Sequence, residues 1–221
     1  MQRNSNSCLI TLLALLFALG NLALIGCDLA VSIVVAPEIL TVCPSGCDYT
    51  SIQEAIEMAG SGDIIEVGAG AYLENLIIDN SLTLLGAGSE QTVIYGAGGP
   101  TVVISSGSVH IEGFTITGGK ETEEGRWDGD GISIEGSAAA DIRNVVIKCN
   151  DNDGIEARDY AEVTLQESEI SRNGWGLFLM AQVFHVVKLT SSSSWGWRWG
   201  RGSERPSGST STGWKAIPSP P

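Results

Sequence analysis

The feature that most constrains this chain is a repeat. Set side by side, "DIRNVVIKCNDNDGI" and "VTLQESEISRNGWGL" place Ile142 over Leu165, Ile147 over Ile170 and Asn150 over Asn173, each 23 residues apart. Gly131 and Gly154 share that spacing, and Gly176 follows Gly154 by 22. "VHIEGFTITGG" fits the same template, because Ile111 and Ile116 keep the five-residue separation of Ile142 and Ile147. From Ile64 to Leu179 the chain is written in short runs such as "IIEV", "LTLL", "TVVI" and "GISI", separated by Gly, Asn, Asp and Ser. Such runs are too short for helices and too β-branched for loops. Strand-sized pieces recurring with a period in the low twenties predict a solenoid, each coil laying its strands against the one below. A leucine-rich repeat has a similar period, but its fixed Leu and Asn positions and its helical stretch are missing.

A short helix should precede the coils. In "CDYTSIQEAIEMAGSGD", Ser51 and Glu54 have the spacing of a capping box, Ile52, Ala55, Ile56 and Ala59 fall on one face, and Gly60 stops the run. The segment "DYTSIQEAIEMAGSGDIIEVGAGAYLENLIIDNSLTLLGAGSEQTVIYG" resembles the opening of right-handed parallel β-helix proteins of the pectin lyase-like superfamily, including the NosD-like and pectinesterase branches. The resemblance rests on an amphipathic cap followed by a "G-x-Y-x-E-N" turn (Gly70, Tyr72, Glu74, Asn75) and an "L-x-G-x-G" turn (Leu85, Gly86, Gly88). It implies an all-β right-handed parallel β-helix of about five short coils over residues 48–180, with a capping helix at 51–59.

What the resemblance implies for chemistry finds no match. The pectinesterase branch would bring a glutamine and two aspartates on adjacent coils, then an arginine and a tryptophan. A polygalacturonase-like site would bring an Asn-Thr-Asp segment, an Asp pair, a Gly-His and an Arg-x-Lys. Neither set of segments is present, apart from an echo at Asn152-Asp153-Gly154. A calcium-dependent lyase would need carboxylates on neighbouring coils and a basic residue near the sugar; the carboxylates exist, but no base can be placed.

One turn is long. Fourteen residues separate Ile116 from Gly131, against six between Ile147 and Gly154, so "GGKETEEGRWDGDG" is a loop grown from one coil. It carries Glu121, Glu123, Glu124, Asp128 and Asp130 around Trp127, with Asp153 on the next coil. Trp127 offers a flat apolar face for a sugar, and the carboxylates could accept sugar hydroxyls or hold a cation such as Ca2+. The alternative is a solvated insertion, which repeat turns tolerate. No dedicated metal site is expected, and no cofactor beyond that Ca2+ alternative. Asn150 over Asn173 reads as a side-chain ladder between coils, and Asn and Asp here as turn residues.

The net charge is −14, which argues against nucleic acid as a partner. Arg3 followed by "CLITLLALLFALGNLALIG" reads as a signal peptide over residues 1–26. Leu24-Ile25-Gly26-Cys27 resembles the bacterial lipobox, which implies lipid on Cys27, a membrane partner through that anchor, and an address at the cell membrane or surface. Without the lipid, the chain is expected to be secreted or periplasmic. Residues 27–47 read as a linker ending in "CPSGC", where Cys43 and Cys47 form a short disulfide in an exported chain. Cys149 reads as a buried core thiol.

The tail, residues 181–221, breaks the pattern. "AQV" at Ala181 echoes "AEV" at Ala161, after which the chain turns basic and holds four of the six Trp, three of them in "WGWRWGRG". It reads either as a genuine aromatic tail or as a shifted reading frame, and in both cases as disordered. The expected function is polysaccharide binding or surface display without assignable catalysis. The alternatives are a polysaccharide lyase or hydrolase and a structural spacer or adhesin.

Overall fold

The computed structural model describes residues 36–122 and 128–179, together with the strands Val183–Ser192 and Trp197–Trp199. The strands stack in three columns. The first holds β1 (Ile39–Val42), β2 (Ile64–Val67), β5 (Leu82–Gly86), β8 (Ser108–Glu112), β11 (Ala139–Arg143) and the front of β14 (Glu162–Ser171). The second holds β3 (Gly70–Leu73), β6 (Thr92–Tyr95), β9 (Thr115–Thr117), β12 (Val146–Lys148) and the back of β14. The third holds β4 (Leu76–Ile78), β7 (Val102–Ile104), β10 (Ile132–Ile134), β13 (Asp153–Ala157), β15 (Trp175–Leu179) and β17 (Trp197–Trp199). The named strands all pair in parallel with the coil above or below. The result is an all-β parallel solenoid of about six turns, against the five or so expected.

Registers follow the repeat. Ile142 pairs with Leu165 and with Ile111, and Ile147 pairs with Ile170 and Ile116. Alternation then turns every second residue inward. Leu40, Ile65, Leu84, Ile111, Ile142 and Leu165 form one such interior column, each 6% exposed or less. Each buried branched side chain contributes about 1.5–3 kcal/mol over its exposed state.

Three corners separate the columns, and each carries a left-handed residue coil after coil. One corner has Gly113, Asn144 and Glu167, the second Gly118, Cys149 and Arg172, the third Gly107, Gly136 and Asp159. At the second corner the Gly118 N–H donates to the Cys149 carbonyl and the Cys149 N–H to that of Arg172. This placement overturns the expectation for Cys149. A corner residue points away from the interior, so its thiol is exposed rather than packed in the core.

The N-terminal end is closed by α1 (Ile52–Met58), which buries Ile52, Ala55 and Ile56 as the spacing requires. The cap itself differs from the expected capping box. Ser51 Oγ does accept from the Glu54 N–H at 3.2 Å. The reciprocal carboxylate comes not from Glu54 but from Glu74 in the first coil, which accepts from Ser51 Oγ (2.7 Å), Ile52 N (3.0 Å) and Gln53 N (3.0 Å). A carboxylate held at three donors of a helix start is favoured by their partial positive charge. Its neighbour Asn75 donates to the Gly98 and Pro100 carbonyls and accepts from Ala97 N, fixing the turn of the next coil. The "G-x-Y-x-E-N" turn is therefore a clamp between cap and coils.

Cys43 and Cys47 form the expected disulfide. The linker expected before them is in part a strand. Ile39–Val42 pairs with Ile64–Val67 because Leu40 and Val42 extend the interior column. At the other end, β16 (Val183–Ser192) pairs with β14 and β17 with β15, so this part of the expected disordered tail continues the ladder. Its register is not the echo of "AEV" by "AQV". Val163 pairs with Phe184, 21 residues on, and the pairing then slips between Leu165 and Glu169. The signal segment, Cys27 and residues 200–221 lie outside the described residues. Among the described residues no helix is long and apolar enough to cross a membrane.

Candidate functional site

The long loop leaves β9 and enters β10, and its stem is bonded to coils on both sides. Gly99 and Lys120 exchange backbone hydrogen bonds of 2.6 and 3.1 Å, and Thr101 N donates to the Asp130 carbonyl. From the other side Asp151 N donates to the Gly119 carbonyl and Asn152 N to that of Gly129. The two legs run so close that a Cβ on Gly119 would lie 2.2 Å from the Asp130 carbonyl oxygen, so the stem requires glycine there. Above the stem, Asp128 closes the neck by accepting from Thr122 N (3.0 Å) and Thr122 Oγ1 (2.5 Å). Residues 123–127, and with them Glu123, Glu124 and Trp127, lie outside the described residues.

At the base the structure brings together two of the sequence candidates. Asp130 is 1% exposed, and its Oδ1 accepts from Asn152 Nδ2 (2.8 Å) and from the Asp153 N–H (2.9 Å). Asp153 is fully buried one coil on. Glu156, two residues further along β13 from Gly154, is also buried and bonded to Arg158 Nη2 at 2.6 Å. Burial, followed by the negative charges of Glu156 and Asp153, raises the Asp130 carboxyl to about 8, against the lowering effect of its two hydrogen bonds. Asp130 therefore holds a proton at neutral pH. A neutral acid beside another carboxylate is a pair that acid–base chemistry can use, yet both groups are sealed and Asp130 is spent on tying two coils together.

The remaining candidates do not converge there. Glu121 is half-buried on the stem and Asp128 serves the neck. Among the described residues no group of three or more His, Cys, Asp or Glu is arranged to hold a metal ion. The asparagine ladder is present: Asn150 N and Nδ2 both donate to Asn173 Oδ1, at 3.1 and 2.9 Å, and Asn150 Oδ1 accepts from Gly119 N. It supports the loop's first leg from below. Sequence reasoning missed Glu156 and Arg158, although their i, i+2 spacing at the end of β13 was a usable signal.

Residues 84–193 match the family model described as a right handed beta helix region. Over 102 residues the chain is 37% identical to a cell surface glycoprotein of Methanothermus fervidus, a match that covers 45% of this chain and only 16% of that protein. Among solved structures, a pectin methylesterase mutant in complex with a hexasaccharide is 13% identical with a TM-score of 0.48, covering 72% of this chain and 68% of that one. Pectin methylesterase from carrot is 17% identical, also with a TM-score of 0.48, covering 76% and 65%. With its stacked parallel coils and the matching family model over residues 84–193, the chain is a right-handed β-helix protein.

Proposed function

We propose that this chain is an exported surface β-helix that presents its long loop to a polysaccharide, anchored to the membrane through lipid on Cys27. The observation that carries the reading is the stem: a rigid, doubly bonded base whose own acids, Asp128 and Asp130, are used up in holding it. What remains for contact is the crown, where the sequence places Trp127 between charged residues. The identity with part of a cell surface glycoprotein supports the location. Trp127→Ala should abolish retention of the chain on an immobilised acidic polysaccharide while leaving its circular dichroism unchanged. Unchanged retention would remove the loop as the binding element and leave the spacer role.

A second reading, polysaccharide cleavage, is favoured by one observation, the raised pKa of Asp130 beside Asp153. It expects the chain to release reducing ends from a polysaccharide, and Asp130→Asn to abolish that release. Activity that survives in Asp130→Asn would end it.

A further inference from the structure

We infer that the outer face of β6, β9 and β12 is a separate carbohydrate-binding groove, suited to an uncharged glycan. This rests on other residues than the loop and stands whether or not the loop binds anything. Parallel pairing puts Val93, Thr115, Val146 and Glu169 in one outward column, and Tyr95 beside Thr117 in the next. Between and around these columns lies an open groove of about 450 Å3. Its floor is two threonines flanked by valines. Tyr95, which lines the groove, is 48% exposed, so an aromatic side chain stands at its wall. The opposite rim is built by the turn at Ser89 and Glu90, pinned from below where Thr115 Oγ1 donates to the Ser89 carbonyl at 2.6 Å. The groove is thus preformed rather than a gap between mobile turns.

Charge decides the occupant. Lys148 lines the groove with Glu90 and Glu169, so a strong donor faces strong acceptors with a small negative excess. On the neighbouring face His110, Glu112, Asp141 and Arg143 pair with one another, whereas no ion pair to Lys148 occurs among the described residues. A polyanion would meet two carboxylates here, Glu90 and Glu169. A sugar ring without charge suits every part. Its apolar face would lie on Tyr95 and the valines, and its hydroxyls, each donor and acceptor, would serve the carboxylates and Lys148. Adjacent coils are about 4.8 Å apart, so a glycan running along the solenoid axis would meet the same columns at each coil.

The test uses the full chain and soluble hexasaccharides of glucose, of mannose and of galacturonate, with affinity read by titration calorimetry. A neutral hexasaccharide should bind, Tyr95→Ala should weaken it by about tenfold, and Tyr95→Phe should restore it. Tyr160→Ala, at a tyrosine 66% exposed outside the groove, should change nothing. Trp127→Ala should also leave this binding intact, which separates the groove from the loop. No binding of either neutral sugar, binding indifferent to Tyr95→Ala, or a Tyr95-dependent preference for galacturonate would each overturn the inference.

Discussion

Replacing Asp130 by Asn should turn a pH-dependent protein into one much less so. An unfolded aspartate titrates near 3.8, and in the fold Asp130 titrates at about 8. Below pH 3.8 both states hold the proton and the site adds no pH dependence. Between those values the folded chain holds one proton more than the unfolded chain, so stability falls as pH rises, by about 1.4 kcal/mol per unit. Above pH 8 both states are ionised and the full cost is present, on the order of 5 kcal/mol across the window. The proton belongs to a cluster with Asp153 and Glu156 close by, so the measured step is a property of the group. Asn keeps an oxygen for Asn152 Nδ2 and the Asp153 N–H but has nothing to titrate. Urea unfolding of the wild type and Asp130→Asn, followed by circular dichroism from pH 5 to 9 at one ionic strength, should give curves that lie closest at the acid end. They should diverge toward pH 8, with the variant more stable. A stability difference that stays constant from pH 5 to 8 would refute the reasoning, because it would mean that Asp130 is ionised throughout.

Other consequences follow from named contacts. Glu74→Ala removes three hydrogen bonds from the helix start and should cost about 2–3 kcal/mol in the same unfolding assay, whereas Glu54→Ala should cost less than about 0.5 kcal/mol. Asn173→Ala removes the acceptor of Asn150 and the donor to the Ile147 carbonyl, all buried, and should cost about 3 kcal/mol. Combined with Asn150→Ala the loss should be less than additive, since the two share one ladder. Gly154→Ala would set a Cβ 2.6 Å from Ile170 Cγ2 and 2.7 Å from the Gly176 carbonyl oxygen, and should lower stability by about 1–3 kcal/mol, read as the urea midpoint. Asp48 is held below the usual carboxylate range by hydrogen bonds from the Thr41 hydroxyl and N–H. Its contribution is present above pH 3.8 and is lost as pH falls through the depressed value, so Asp48→Asn should flatten the acid end of the stability curve.

The coil and its pairings were legible in the sequence, because a solenoid is nearly one-dimensional. Each residue's neighbour is the residue one period away, so subtracting positions found Ile142 against Leu165 and Asn150 against Asn173 without any knowledge of the fold. The interior columns followed from alternation, and the capping helix from its apolar face. Matters that depend on reach across a corner were decided only by tertiary structure. Glu74 and Glu54 are equally good capping carboxylates on paper, but only the turn after β3 carries Glu74 onto the helix start. Cys149 belongs to an apolar-looking run, yet the left-handed corner turns it outward. The echo of "AEV" in "AQV" misplaced the last coil by one residue, since Glu162 and not Val163 pairs with Val183, and the register shifts again only beyond Leu165. The acidic base of the loop is the sharpest case. Spacing set Asp130 and Asp153 on adjacent coils, but whether they would face water or each other depended on what the stem buries, and burial is what gives Asp130 its proton.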